Sequence, residues 1–204
     1  MASADSPRKL NLAVLISGGG SNLQSILDAC KEKGYPAQVR VVISNTSDAY
    51  GLIRAQEAGV PAITISHKDF DSRTEFENAL NNELADYDID LICLAGFMRI
   101  LTPDFITKWS RKIINTHPSL LPKFGGEGMY GMRVHQAVLE AGETESGSTI
   151  HYVIPEVDKG EIILQKRVNI HSHDTPETLA KRVLASEHIA YPEAIKQIAL
   201  KIGF

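Results

Sequence analysis

Short apolar runs alternate with segments of helical spacing along most of this chain, and that rhythm restricts the fold more than any other feature. Residues 11–16, 39–44, 62–65 and 91–95 read as short, mostly apolar strands, and 113–116 as a fifth that opens on the apolar Ile113-Ile114. Between them lie the helical stretches 21–33, 51–58, 74–87 and 103–109. In the first of these Leu23, Ile26, Leu27 and Cys30 recur on one helical face. Strands that are apolar throughout are buried on both sides, as in a parallel sheet covered by helices. The expectation is an α/β fold: a Rossmann-like open, mostly parallel sheet with helices on both faces.

The end of the chain departs from this rhythm. Residues 134–140 read as a helix, and 148–154 and 162–170 as two more strands. The connection between those strands is too short for a crossover helix, so they form a C-terminal antiparallel hairpin. A long helix, about 176–200, follows, and Pro192 is expected to kink or interrupt it. With 204 residues the chain can bury a real core, and a single domain over 10–204 is expected. Residues 1–9 lack an apolar signal core and read as a flexible tail.

Ligands of open parallel sheets bind beyond the carboxyl ends of the strands. Two motifs fall there. Ser17-Gly18-Gly19-Gly20-Ser21-Asn22-Leu23 joins the first strand to the first helix. Its glycines let backbone approach an anion, and the helix start offers free N–H groups and a favourable dipole. No Lys-Ser/Thr pair follows, so it is not a P-loop, and Leu23 replaces the third glycine of a dinucleotide fingerprint. The plainer alternative is a tight turn with Ser21 as N-cap.

The second motif is Asn115-Thr116-His117-Pro118-Ser119-Leu120-Leu121-Pro122, at the exit of the fifth strand. Side chains two apart on a strand point the same way. An amide that can donate to a carbonyl oxygen, beside a titratable ring, suits acyl or formyl transfer. The alternative is an amide capping a turn and a histidine satisfied by backbone.

Three further features are ambiguous alone. Asp158, in Val157-Asp158-Lys159-Gly160, reads first as turn chemistry, but a carboxylate that reached His117 would favour the charged imidazole. The segment 94–101 is either a core strand with its turn or an apolar wall for a flat heterocycle. Glu187 and His188 read as a solvated face of the last helix.

A net charge of −4 with scattered Lys and Arg argues against a general nucleic-acid binder. Cys30 and Cys93 make no disulfide framework and read as packing residues. The histidines show no metal-ligand spacing, so no metal is expected. No run is long enough to cross a bilayer, which leads to the expectation of a soluble, cytoplasmic protein.

Four motifs, at 15–24, 94–101, 115–122 and 157–160, stand in the order and near the spacing of one family. The chain, from Leu12 to about Pro192, resembles the folate-dependent glycinamide ribonucleotide formyltransferases of purine synthesis. That resemblance implies a catalytic trio of Asn115, His117 and Asp158. It implies that Gly20, Ser21 and Asn22 hold the substrate phosphate and Glu187 the ribose hydroxyls. Met98, Arg99, Ile100 and Leu101 would form the pterin-binding loop together with Asn115, with residues 151–158 lining the other side. Arg73 would lie near the glutamate tail of the folate. The co-substrate would be 10-formyltetrahydrofolate and the partners small molecules, in a monomer or homodimer without metal. Formyltetrahydrofolate hydrolase and other formyl-folate transferases share the trio but carry an additional domain, which is not expected here. Residues 124–133 are longer and richer in glycine than the family pattern. With four glycines in 125–131, that segment is expected to be a mobile lid closed by Met129 and Tyr130, the alternative being a plain surface loop.

Overall fold

The computed structural model describes residues 8–204. Seven strands form one sheet in the order β3-β2-β1-β4-β5-β6-β7. The first five, β1 (Leu10–Ile16), β2 (Ala37–Ser44), β3 (Ala62–Thr64), β4 (Leu91–Leu94) and β5 (Ile113–His117), are parallel to their neighbours among themselves. The last two, β6 (Glu145–Tyr152) and β7 (Ile162–Asn169), pair antiparallel. The expected parallel sheet with a terminal hairpin is therefore present, and β5 is the strand at which the pairing changes sense.

Every residue of β1 is buried, as a central strand with helices on both sides requires. Leu10, Leu12, Val14 and Ile16 share one cluster with Leu23, Ile26 and Leu27 of α1 (Ser21–Lys31), Leu52 and Ala55 of α2 (Tyr50–Glu57), and the inner residues of α6 (Pro176–Lys201). Ala13 and Leu15 share the other with Phe76, Leu80 and Leu84 of α3 (Arg73–Ala85) and Phe105 and Ile106 of α4 (Pro103–Lys108). A smaller cluster joins Val134 and Val138 of α5 (Met132–Glu140) to Leu179 and Val183 of α6.

The helix starts follow local chemistry. Ser72 caps α3 through the Glu75 N–H, and Thr102 caps α4 with Pro103 behind it. Thr175 and Thr178 cap α6 reciprocally. The exception is α1. Its N-cap is Gly20, in the left-handed region at φ 70°, and no side chain caps it. Ser21 is thus the first helical residue and not the cap.

The helix α6 runs unbroken through Pro192. The expected interruption does not occur, because Ala190, Tyr191, Ala194 and Ile195 are all fully buried and hold both sides of the proline to the sheet. The Tyr35 hydroxyl donates to the Pro192 carbonyl at 2.8 Å. Of the segment read as a tail, residues 1–7 lie outside the described residues. Arg8 pairs with Asp90 at 2.9 Å and lies over the Phe204 ring.

Candidate active site

Asn115 and His117 leave the carboxyl end of β5 beside β6, where His151 stands opposite Asn115. The β6–β7 register shifts between Ile150 and His151. An irregularity of this kind re-aims a side chain. His151 Nε2 lies 3.3 Å from the Asn115 amide nitrogen, and its Nδ1 lies 2.9 Å from the Tyr152 carbonyl oxygen. A carbonyl only accepts, so Nδ1 carries the proton and Nε2 accepts from Asn115. Burial lowers the His151 pKa, opposed by the Tyr152 carbonyl and Asp158 and assisted by His117. The ring is accordingly a neutral acceptor that fixes which way the Asn115 amide points.

His117 is 4% exposed. Its Nε2 donates to the Phe124 carbonyl at 2.7 Å, and its Nδ1 lies 3.4 Å from Asp158 Oδ2. Both ring nitrogens face oxygen atoms, the Phe124 carbonyl on one side and the Asp158 carboxylate on the other. The Asp158 side chain is 9% exposed, and its Oδ1 lies 3.6 Å from His151 Nε2. Asp158 adopts φ 57°, where Asp and Asn are the tolerated non-glycine residues. A Cβ on Gly160 would collide with the Tyr152 carbonyl, so only glycine lets the hairpin loop fold back onto β6. The loop thereby returns Asp158 to the two histidines.

Glycine-rich backbone follows β1. The carbonyls of Ser17, Gly18, Gly19 and Gly20 accept from Thr46 Oγ1, the Gly51 N–H, Arg54 Nε and the Gln24 N–H respectively. Helix geometry leaves the first N–H groups of α1 without intrahelical partners, and no side chain caps them. Free N–H groups at a helix start are an arrangement that can take an anion. Asn22 is buried, with Nδ2 donating to Glu187 Oε2 at 2.6 Å and Oδ1 unpartnered.

Glu187 is not on a solvated face. It is 7% exposed, because α6 turns that side toward α1 and the sheet. Burial pushes its carboxyl pKa up to about 7, and the Asn22 hydrogen bond opposes this. Beside it, His188 Nε2 is buried without a partner. Helical spacing alone does not find Glu187, since Ser186 and Glu187 interrupt the apolar series on their own face.

The exit of β4 is tied to the exit of β1, for the Met98 N–H donates to Ser17 Oγ at 2.8 Å. Met98 and Ile100 are more than half exposed and Arg99 is half-buried, so these side chains are free of the core. Leu101 turns into the core with Phe105. Thr102 anchors the loop to the buried Glu77, whose Oε1 accepts its N–H at 2.7 Å. Arg73 is exposed at the start of α3.

In the glycine-rich segment, the Gly126 N–H donates to Asp158 Oδ2 at 2.9 Å. Met129 already packs on the cluster beneath α5 and α6, leaving Tyr130 as the half-exposed bulky group. Arg133 lies over its ring. Sequence spacing gives no sign of His135, buried on α5, whose pKa is lowered by burial and by the charge of His117. Periodicity likewise treats Arg54 as an ordinary surface cation, although its Nε donates to the Gly19 carbonyl. Among the described residues, no group of three or more His, Cys, Asp or Glu side chains is arranged to hold a metal ion. Among the same residues, no helix is long and apolar enough to cross a membrane.

Residues 10–195 match the sequence model of the formyl transferase family. A phosphoribosylglycinamide formyltransferase of Haemophilus influenzae is 45% identical over 91% of this chain and 85% of its own length. The trifunctional purine biosynthetic protein adenosine-3 of Chironomus tentans is 46% identical over 94% of this chain. The chain spans only 14% of that larger protein. Among solved structures, glycinamide ribonucleotide transformylase 1 from Symbiobacterium toebii superposes with a TM-score of 0.91 at 44% identity, covering 98% of this chain and 92% of that one.

Proposed function

The chain belongs to the formyl transferase family, and we propose from that premise that it moves the formyl group of 10-formyltetrahydrofolate to the amine of glycinamide ribonucleotide. The observation that carries this reading is the joined set Asn115–His151–Asp158–His117 at the exit of β5.

The free amine of the ribonucleotide attacks the formyl carbon, and the carbonyl π electrons move onto oxygen. Asn115 Nδ2 and the His117 imidazolium donate to that oxyanion. Asp158, facing Nδ1 at 3.4 Å, keeps the ring oriented and balances its charge. Collapse of the tetrahedral adduct breaks the bond to the folate nitrogen. The ammonium proton passes, through Asp158 and a water, to that departing nitrogen. Formylglycinamide ribonucleotide and tetrahydrofolate leave. No enzyme atom becomes acylated, so holding two substrates in attack geometry is the main contribution.

The loop before α1 takes the substrate phosphate through Gly20, Ser21 and Asn22, and Glu187 takes the ribose hydroxyls. Met98, Arg99 and Ile100, with backbone at Leu101, line the pterin site beside Asn115. Arg73 serves the glutamate tail. The exposure of Met98 and Ile100 beside the β1 and β4 exits supports this assignment. The test is the folate absorbance of purified protein mixed with 10-formyltetrahydrofolate, with and without glycinamide ribonucleotide. Loss of the formyl group only when the ribonucleotide is present is expected. Equal deformylation without it would replace this reading with a hydrolase.

A further inference from the structure

The helix α2 holds the glycine-rich loop at two successive points, one from its first turn and one from its last. The Gly51 N–H donates to the Gly18 carbonyl at 3.0 Å, and Arg54 Nε donates to the Gly19 carbonyl at 2.8 Å. The approach is close: a Cβ on Gly20 would stand 2.7 Å from Gly51 Cα. Arg54 Nη1 also donates to Gln24 Oε1 in the first turn of α1, at 3.1 Å. The guanidinium rests 5.0 Å above the Tyr50 ring, which fixes its plane.

Two of the five guanidinium N–H donors are thereby used and three are left. They belong to a full cation next to a helix N-terminus whose own N–H groups are uncapped. Its field extends to α6, where Arg54 adds to the effect of burial in lowering the His188 pKa. His188 is the neighbour of Glu187, whose carboxylate accepts from Asn22 Nδ2 at the start of α1. A dianion arriving at the loop would meet one fixed cation and several free amides. A neutral group would leave both unpaired.

We propose that Arg54 is the cation of the phosphate subsite, turning the Gly19 carbonyl away from the anion and supplying charge to it. The residue thereby sets the preference for a nucleotide acceptor over the same compound without its phosphate. This rests on the formyl-transfer reading above. Arg54 is a positioning and specificity residue, remote from the formyl carbon.

Two substitutions separate its roles. Arg54→Lys keeps the charge and loses the planar fork. Arg54→Gln keeps a donor for the Gly19 carbonyl and loses the charge. Transfer to glycinamide ribonucleotide is compared with transfer to the dephosphorylated riboside, and inorganic phosphate binding to the free enzyme is read by calorimetry. Arg54→Gln is expected to lower kcat/KM for the nucleotide by about tenfold to a hundredfold, the range for a charged hydrogen bond, mainly through KM. The riboside should lose much less, phosphate binding should weaken in parallel, and Arg54→Lys should restore part of the nucleotide preference. Equal losses for nucleotide and riboside, or full activity in Arg54→Gln with none in Arg54→Lys, would reduce Arg54 to scaffolding. Unaltered phosphate binding in Arg54→Gln overturns the proposal too. Wild-type protein that binds phosphate but formylates neither acceptor removes the parent reading while leaving the subsite standing.

Discussion

The carboxylate of Glu187 on α6 accepts a 2.6 Å hydrogen bond from Asn22 at the start of α1, across 165 residues of sequence. That bond ties the last helix to the loop that precedes the first. The burial that comes with this docking, opposed by the bond itself, makes the acid sensitive to pH near neutrality.

Glu187→Gln should therefore change stability in a pH-dependent way. The carboxyl ordinarily titrates near 4.5, and burial raises it to about 7 in the fold. A raised folded pKa gives stability that is complete below the unfolded pKa and is lost as pH rises through the folded one. The amide carries no such penalty. The Tm of Glu187→Gln minus that of the unsubstituted protein should be smallest near pH 4.5, grow through pH 7 and then level. Thermal melts across that range check this, and a difference constant with pH contradicts it. If Glu187 grips the ribose hydroxyls, the same variant raises the ribonucleotide KM by about tenfold to a hundredfold.

Asp158→Asn is expected to slow the chemical step by about two to four powers of ten, the usual weight of a proton-transfer group. Asparagine tolerates the left-handed backbone at φ 57°, so the loop should keep its shape. Single-turnover formyl transfer at saturating substrates isolates the step. A loss confined to KM would assign Asp158 to binding instead.

His151→Ala tests the neighbour that orients the amide. Without the Nε2 acceptor at 3.3 Å, Asn115 is free to turn its oxygen toward the formyl group. A fall in kcat of about tenfold is expected, equivalent to one lost neutral hydrogen bond. Folate affinity, measured by fluorescence, should move little. Wild-type kcat in this variant would mean that Asn115 is oriented by something else.

The glycine-rich segment is expected to shift during turnover. His117 Nε2 is spent on the Phe124 carbonyl, and Asp158 is held by the Gly126 N–H. An incoming formyl oxygen can claim the His117 donor only if residues 124–126 move. Limited proteolysis near the half-exposed Tyr130 should be fast in free protein and slow with a folate analogue and ribonucleotide bound together. Identical cleavage with and without saturating ligands would leave the segment a passive connection.

Much of this was legible in the sequence because β1 and β4 are short apolar runs and β5 opens on Ile113-Ile114, and such runs have few places to go except a covered sheet. The spacing of Asn115 and His117 foretold their shared side. What stayed hidden depended on long-range packing. Glu187 is polar, and only the docking of α6 against α1 shows that it is buried. His151 acts through a register shift that leaves no local signature. Ser21 looks like an N-cap, yet the left-handed Gly20 takes that position because α2 crowds the loop. Pro192 reads as a breaker, and the burial of its neighbours overrides it.

The glycine-rich loop follows β1 and Asn115 stands near the carboxyl end of β5, with β4 alone between the two strands. Two strand spacings separate the exits, about 10 Å measured across the sheet. Backbone hydrogen bonding sets that interval, and no side chain can stretch it. On the proposed formyl-transfer reading, the sheet thus acts as a ruler for the acceptor. A molecule whose nucleophile lies much nearer to its anion, or much farther, can occupy one end of the scale but not both.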